Sequence, residues 1–389
     1  MAPHLIIFSI CVLLVLHTYV LYPIILRLIA RFKKPVYDEY QRGEDLPFVT
    51  VLLSVHNEEK IIEEKIHSTF NTHYPIDKLR MIIGADDCTD MTISFIEQLQ
   101  EKYPGIVLQQ FDRIGKGNVF NRIMQDMKWR KDEIIICTDA NVFFNEDTIF
   151  HLIKKMKTPE IGLIGAWVVN ENTRSEMAQQ EQIYIQSENK IKYNEGKLEG
   201  NMIGAFGACY AMKAELYHEI PPNFITDDFF LSLKVLEGGH QCILEIDAIC
   251  FERVNPSLWS EFKRKKRYAA GNFQNFFYFK PIWFKNIHFA FCFWSHKVLR
   301  WFTPFLLIIA FGISLINFHN NAFLKLYLVA NFVGIASGII YPLFSFLKIE
   351  LKMMKFVTYF MWMNFALTIG LFNYLKGIET NVWKPTERI

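Results

Sequence analysis

The stretch that decides the fold is Phe48–Glu59, which reads FVTVLLSVHNEE. Its first part, Phe48–Val55, is apolar and rich in β-branched residues, as the buried strands of parallel sheets are. The polar cluster His56–Glu59 follows it, and helical spacing of apolar residues then runs from Glu58 to Phe70. We therefore expect the first strand and helix of a βαβ unit, with polar residues at the carboxyl end of the strand.

The alternation of strands and helices continues along the chain. Further strands are predicted at residues 81–85, 106–109 and 134–138, and further helices at residues 92–102 and 118–127. Such alternation indicates an α/β domain built around a parallel sheet. Two of the later strands also end in polar clusters, Asp86–Asp90 and Asp139–Asn141. Because ligands of these sheets bind at the carboxyl ends of the strands, we expect a binding site at this edge.

Composition and missing motifs exclude several classes of protein. The 389 residues carry 42 Lys+Arg against 40 Asp+Glu, which argues against a nucleic-acid binder. Neither a G-x-x-x-x-G-K-[ST] motif nor a G-x-G-x-x-G motif follows the first strand, which excludes a P-loop ATPase and disfavours a Rossmann dehydrogenase. Seven cysteines without a C-x-x-C pair indicate reduced thiols rather than a zinc site or a disulfide framework.

Carboxylates at the edge of a sheet suit two tasks. They accept hydrogen bonds from a nucleoside, and they hold a divalent cation that shares ligands with substrate phosphates. Asp139 and Asn141 form a half-site of the second kind. Asp90 has a simpler alternative, because an aspartate before a helix often caps it.

A second acidic pair, Asp227 and Asp228, stands before an amphipathic helix. One interpretation is structural, with Thr226 or Asp227 as the helix cap. The other is chemical, with a carboxylate at the helix start acting as a general base.

The chain also carries apolar segments long enough for a membrane. Residues 5–26 contain no charge, and a stretch of that length crosses about 30 Å of hydrocarbon. It lacks the basic start and small-residue cleavage site of a signal peptide, so a retained anchor is predicted, with a buried core helix as the alternative. Arg27 and Arg31 follow at once, which predicts a cytoplasmic location for the domain after them.

Further uncharged runs lie at residues 301–318, 326–347 and 356–375. Between residues 259 and 300, basic clusters alternate with aromatic residues, as in helices that lie on a membrane surface and contact its lipids. The predicted organisation is an anchor at 1–30, a catalytic domain at 47–258, interface helices at 259–300, transmembrane helices at 301–375 and a tail at 376–389.

The ordered set of motifs resembles the membrane-bound family 2 glycosyltransferases with the GT-A fold. It is similar to the processive branch that includes cellulose, chitin, hyaluronan and poly-N-acetylglucosamine synthases. The matching segments are Ser54–Glu58, Asp86–Asp90, Gly115–Asn121, Asp139–Asn141, Gly204–Tyr210, Asp227–Asp228 and Arg264–Tyr268. The resemblance implies a Rossmann-like nucleotide-sugar-binding domain, Mg²⁺ or Mn²⁺ as cofactor, and a UDP-sugar as donor. Separately from the resemblance, the compactness of the chain favours a bacterial inner membrane, and the basic residues after the first span predict that the catalytic domain lies in the cytoplasm.

Site residues follow from the same resemblance. Those expected to bind the nucleotide sugar are Val55, His56, Glu58, Asp86, Lys116, Asn121, Asp139, Arg264 and Tyr268. Asp139 and Asn141 are expected at the metal. Asp228 takes the position of the general base, with Asp227 beside it, and Arg267 is expected on the diphosphate.

Four positions depart from the family pattern. Ser54 stands for a proline, Asn141 for an aspartate, Arg264 for a glutamine and Tyr268 for a tryptophan. The last three keep the function open. The first hypothesis is a processive synthase that forms a β-linked glycan by inversion. The second is a transferase that adds one sugar to a lipid or a lipid-linked glycan. The third is an inactive membrane scaffold that binds nucleotide sugars.

Overall fold

The structure is a computed structural model that describes residues 2–171, 176–253, 257–346 and 352–382. The chain forms two compact units. The first unit comprises residues 1–25, 257–278 and 290–377, and the second comprises residues 26–256, 279–289 and 378–389.

The helices are α1 Pro3–Leu16, α2 Tyr22–Arg31, α3 Ile62–Phe70, α4 Thr92–Lys102, α5 Lys116–Asp126, α6 Thr148–Lys154, α7 Glu176–Lys197, α8 Asp227–Glu237, α9 Leu258–Tyr278, α10 Ile287–Cys292, α11 Leu299–Asn317, α12 Ala322–Phe346 and α13 Lys352–Leu375. The strands are β1 Val49–Val55, β2 Leu79–Asp86, β3 Ile106–Phe111, β4 Ile134–Thr138, β5 Val142–Phe144, β6 Ile161–Asn170, β7 Cys209–Lys213 and β8 Gln241–Glu252.

The sheet of the second unit has the strand order β3-β2-β1-β4-β7-β6-β8-β5. Strands β1 to β4 pair in parallel, as predicted. The sheet as a whole is mixed, because β7 runs antiparallel to both β4 and β6, and β5 runs antiparallel to β8. The expectation of a parallel sheet therefore holds for the half of the domain whose strands were recognised in the sequence.

A crevice for a ligand follows from this order. Strand β1 lies between β2 and β4, so the connections from β1 and β4 leave toward opposite sides. Ligands of open α/β sheets bind at such a switch point, outside the carboxyl ends of the strands. The loops after β1 and β4 carry the polar clusters predicted from the sequence.

Helices pack their apolar sides on both faces of the parallel strands. Burial on both faces explains the uninterrupted apolar runs in β1 and β4. Ile62 of α3 and Ile96 of α4 are fully buried in one core, and Val119 of α5 is fully buried on the other face. Helix α5 approaches β2 closely at Gly84, where an added Cβ would lie 2.2 Å from Val119 Cγ1. A residue with a side chain at position 84 would therefore displace the helix that begins with Lys116.

The described residues include four helical segments that are long and apolar enough to cross a membrane. They are Pro3–Arg31, Ile287–Asn317, Ala322–Tyr341 and Met354–Leu375. The first confirms the predicted apolar span. The second begins at Ile287 rather than at residue 301, because α10 continues through a π-helical turn into α11.

The segment predicted at the membrane surface thus divides in two. Helix α9 is amphipathic and packs in the first unit against α13, where an added Cβ on Gly370 would lie 2.3 Å from Ala269 Cβ. Pro281 lies in a short 3₁₀ turn, Lys280–Ile282, between α9 and α10, as its helix-breaking ring predicts.

Candidate active site

Four charged side chains of the second unit meet at the carboxyl end of the sheet. Lys116 is the first residue of α5, Asp139 follows β4, and Asp227 and Asp228 begin α8. The Nζ atom of Lys116 lies 2.7 Å from Asp139 Oδ1 and 3.7 Å from Asp227 Oδ2. The structure therefore brings together residues that the sequence places far apart, and all four were predicted.

The carboxylates keep Lys116 charged. Burial acts to lower the pKa of Lys116, but the charges of Asp139 and Asp227 outweigh it and raise the pKa above the usual value. The site thus holds a permanent positive charge between two acidic groups. Lys116 alone does not offset the charges of Asp139, Asp227 and Asp228, so an anionic ligand such as a diphosphate needs a further cation here.

Asp228 has the properties of a general base. Burial, together with the neighbouring charge of Asp227, raises the pKa of Asp228 to about 6, against the opposing effect of Lys116. A carboxylate with a pKa near the working pH accepts a proton most effectively. Thr226 is the N-cap residue of α8, as the structural alternative predicted, but its side chain makes no capping hydrogen bond.

The loop Gly204–Ala208 lies against this base. An added Cβ on Gly207 would lie 3.2 Å from Asp228 Oδ2. Ser232 joins the loop to the helix, because its hydroxyl accepts a hydrogen bond from Ala205 N at 3.0 Å and donates one to Asp228 O at 2.7 Å. The absence of a side chain at Gly207 leaves room for the Asp228 carboxylate against the loop.

We expect Gly207→Ala to lower the rate of the site's reaction by about ten- to a hundredfold, because the new methyl group displaces the Asp228 carboxylate. Gly238→Ala is the control, since an added Cβ there meets its nearest atom at 3.5 Å. Steady-state kinetics of both variants check the prediction. Equal activity of the two would show that the Gly207 backbone does not limit the position of Asp228.

Asp86 is buried and bonded within the chain. Its Oδ1 accepts hydrogen bonds from Ile114 N at 2.7 Å and Gly115 N at 3.1 Å, and its Oδ2 lies 2.5 Å from Arg113 Nη1. His56 Nδ1 lies 2.7 Å from the Asp86 carbonyl oxygen. Asp86 therefore shapes the loop that leads to Lys116. Its predicted contact with the base of the nucleotide stays a prediction.

The remaining predicted nucleotide contacts of the second unit are largely buried. Val55 is 1% exposed at the end of β1 and Glu58 is 6% exposed. Asn121 accepts hydrogen bonds from Tyr217 Oη at 2.8 Å and Ile220 N at 2.9 Å, and its Nδ2 donates to Ile220 O at 2.8 Å. Asn121 thus fastens the segment after β7 to α5, and its role at the nucleotide stays a prediction.

Asp90 acts at the start of a helix, as its alternative interpretation predicted. Its Oδ1 accepts a hydrogen bond from the backbone N of Thr92, the first residue of α4, at 3.1 Å. Its Oδ2 accepts one from Glu59 N, also at 3.1 Å. This aspartate links the loops after β1 and β2.

The residues present fit a divalent cation that shares its ligands with a substrate. Asp227 Oδ2 is buried without a hydrogen-bond partner among the described residues, and the Asp139 side chain is 39% exposed. Across the described ranges, no group of three or more His, Cys, Asp or Glu side chains could hold a metal on its own. Magnesium and manganese commonly take their other ligands from phosphates and water. Asn141 Nδ2 donates a hydrogen bond to Arg253 O at 2.9 Å, and the predicted place of Asn141 at the metal stays a prediction.

Arg264, Arg267 and Tyr268 lie on α9, in the first unit. Arg264 Nη2 pairs with Glu261 Oε2 at 2.9 Å, and the Arg267 guanidinium lies 5.1 Å from the Tyr268 ring centroid. Their predicted contacts with the nucleotide sugar stay predictions.

Several contacts of the site were missed from the sequence. Arg113 binds Asp86. The tail residue Asn381 lies close to Gly115, since a Cβ added to that glycine would lie 2.7 Å from Asn381 Oδ1. Arg113 lies just before the Gly115–Asn121 motif, so its place along the chain was a usable signal. Asn381 follows α13 in a segment without periodicity, so no pattern pointed to it.

Comparison with known proteins identifies the family. Residues 11–366 match glycosyl transferase family 21. The chain belongs to this family. The predicted membrane-bound glycosyltransferase with a GT-A-like fold is thereby confirmed.

Two curated relatives of this family 21 chain have different products in their names, a polysaccharide and a glycolipid. The chain is 24% identical over 233 residues to poly-beta-1,6-N-acetyl-D-glucosamine synthase of Staphylococcus aureus (strain COL), covering 59% of this chain and 55% of that protein. It is 23% identical over 273 residues to beta-monoglucosyldiacylglycerol synthase of Nostoc sp. (strain PCC 7120 / SAG 25.82 / UTEX 2576), covering 66% of this chain and 55% of that protein. The chain thus spans about half the length of either relative.

A solved structure shares the fold. The mannosyltransferase PcManGT from Pyrobaculum calidifontis, in complex with GDP-Man and Mn²⁺, matches with a TM-score of 0.70 and 21% sequence identity. The match covers 95% of this chain and 99% of that one.

Proposed function

We propose that this family 21 chain transfers a sugar from a nucleotide-sugar donor to an acceptor at the membrane, with inversion at the anomeric carbon. The observation that carries the proposal is Asp228, a carboxylate whose pKa is raised to about 6, beside the half-buried cation of Lys116 at the switch point of the sheet. A base next to a site for anionic phosphates is what direct glycosyl transfer requires.

The reaction is a single displacement. The Asp228 carboxylate accepts the proton of an acceptor hydroxyl, and the oxygen attacks the anomeric carbon in line. The bond from that carbon to the diphosphate breaks, and the nucleoside diphosphate leaves with the electron pair. Lys116 stabilises the charge that develops on it. An α-linked donor therefore gives a β-linked product.

Asp139 and Asp227 are the residues that would hold Mg²⁺ or Mn²⁺. When bound, the cation supplies further neutralisation of the diphosphate. The Mn²⁺ in the Pyrobaculum mannosyltransferase supports this part of the proposal.

The first candidate for the acceptor is a growing glycan, which the similarity to the Staphylococcus synthase supports. A UDP-sugar is then the expected donor, and the bacterial inner membrane the expected location. The second candidate is a lipid that receives one sugar. It is supported by the Nostoc synthase, which aligns over more of this chain, and by Arg264 and Tyr268, which depart from the processive pattern. Arg27 and Arg31 after the first span support a cytoplasmic active site in either case.

A donor screen tests the proposal. Purified full-length protein in nanodiscs is given UDP-glucose, UDP-N-acetylglucosamine, UDP-galactose, UDP-glucuronate and GDP-mannose with Mn²⁺. Release of nucleoside diphosphate and product size are measured with and without added lipid extract. A long ladder supports the synthase, and single additions that need the extract support the lipid acceptor. No release from any donor would contradict the proposal and favour an inactive scaffold.

Metal dependence is a separate prediction. EDTA is expected to stop transfer and Mn²⁺ or Mg²⁺ to restore it, and Asp139→Asn should raise the Mn²⁺ concentration for half-maximal activity by about 10–100-fold. Asp147→Asn is the matched control, because Asp147 is an exposed carboxylate bonded to His73. Turnover that persists in EDTA would remove the metal from the mechanism.

A further inference from the structure

Lys65 is a buried cation on the core face of α3. The neighbouring positions Ile62, Ile66 and Thr69 of that helix face are fully buried, and Lys65 is fully buried with them. Lysine is rarely placed there, because removing a charge from water is costly unless polar groups replace the water. Its contacts therefore need an explanation.

The contacts of Lys65 bracket the Asp139–Asn141 turn. Its Nζ donates hydrogen bonds to Thr138 Oγ1 at 3.1 Å and to Val142 O at 2.5 Å. These residues stand immediately before and after the turn. The ammonium group also lies 3.8 Å from the centroid of the Phe144 ring in β5. One cation thus ties the end of β4 to the start of β5.

The charge itself is retained. Burial lowers the pKa of Lys65 to about 8, so the amine is mainly protonated at neutral pH. Within the described ranges no carboxylate oxygen lies within 4 Å of its Nζ, so it is not part of an ordinary ion pair. The charge of Asp139 favours the protonated form of Lys65.

The same helix holds the other end of the turn. Glu64 binds Arg253, with oxygen–nitrogen distances of 2.9 and 3.0 Å. The backbone of Arg253 in turn exchanges hydrogen bonds with Asn141, since Arg253 N donates to Asn141 O and Asn141 Nδ2 donates to Arg253 O, each at 2.9 Å. Adjacent residues of α3 therefore restrain both sides of the turn, and α3 itself begins just after the His56–Glu59 loop.

We propose that Lys65 is a positioning residue for metal-supported nucleotide binding, because it fixes the turn that presents Asp139. The inference rests on the proposed function. Lys65 acts through Thr138 and Val142 and does not itself contact the substrate.

The test measures binding of UDP and GDP to the full-length protein by calorimetry, in MnCl₂ and in EDTA, together with the Tm. Lys65→Met is expected to lower the manganese-supported affinity by about 10–100-fold and to leave the affinity in EDTA within about twofold. Thr138→Val removes one acceptor of the same cation and should act in the same direction. Thr138→Ser keeps the hydroxyl and should restore the wild-type values.

Lys155→Met is the matched control, because Lys155 pairs with the buried Glu245 at 2.6 Å and lies away from the turn. This control should lower the Tm. It should leave unchanged the manganese gain, which is the factor by which MnCl₂ raises the affinity for UDP or GDP above the affinity in EDTA. If Lys65→Met does not fold, the two Thr138 variants decide. A lowered Tm with an unchanged manganese gain in Lys65→Met or Thr138→Val would overturn the inference, because Lys65 would then be structural only. Wild-type binding without any manganese gain would overturn it and leave nucleotide binding intact, whereas no nucleotide binding would contradict the proposed function as well.

Discussion

Replacing Asp228 by asparagine is expected to reduce sugar transfer by about 10²–10⁴-fold, the range that a positioned general base supplies. Asparagine has nearly the same shape but cannot accept the proton of the acceptor hydroxyl. Binding of the nucleoside diphosphate should persist, because Lys116 and Asp139 remain. Single-turnover transfer and calorimetric binding, measured side by side, separate the two effects.

Glu237→Gln is the matched control for this prediction. Glu237 is the last residue of the same helix and pairs with Lys234 at 2.7 Å. Its replacement therefore shows the effect of removing a carboxylate of α8 that lies away from the site. The control should transfer at the wild-type rate. Equal transfer by Asp228→Asn and the control would show that another group accepts the proton.

Replacing Lys116 by methionine is expected to lower kcat/KM for the donor by about 10²–10³-fold, as loss of a group that stabilises developing negative charge does. The substitution removes the cation that lies between Asp139 and Asp227 and that stabilises the leaving diphosphate. It should also raise the pKa of Asp228 further, because Lys116 now opposes that rise. The acid limb of the pH–rate profile should therefore move to higher pH.

The control for Lys116 is Lys102→Met at the exposed end of α4, where the ammonium lies 5.1 Å from the Tyr103 ring centroid. Steady-state kinetics across pH on both variants check the prediction. A donor kcat/KM near the wild-type value in Lys116→Met would mean that the lysine only neutralises the two aspartates.

The parallel half of the sheet could be predicted from the sequence because buried parallel strands are uninterrupted apolar runs. β4 was predicted at its observed bounds, Ile134–Thr138. The later strands were not assigned, because their pairing depends on partners distant in sequence. β7, for example, is set by its antiparallel register with β4.

The helices that could span a membrane were predictable from the length of their uncharged runs, except for the start of the second helix. The helix from Ile287 to Asn317 carries His288, Lys297 and Arg300, which made its first part look like a surface segment. Backbone continuity through the π-helical turn, not composition, makes it one helix.

The acidic residues of the site were predictable because each ends a strand or begins a helix in a recognised motif. Their partners were not. The place of Arg113 just before the Gly115–Asn121 motif was the one usable signal for its bond to Asp86, and no pattern indicated that Asn141 donates a hydrogen bond to Arg253. The exception is Lys65, whose position on an otherwise apolar helix face is visible in the sequence and would have marked it as a buried cation.

The role proposed for Asp228, which lies beside Asp227 and Lys116, is that of the base in a glycosyl transfer. It is tested most directly by the pH dependence of kcat/KM for the acceptor, with nucleoside diphosphate binding followed over the same range. The base acts only when ionised, so activity should be full above the pKa of about 6 and should fall about tenfold per pH unit below it, while binding changes little. A profile that stays flat from about pH 8 to about pH 4.5, well below that pKa, would contradict the account.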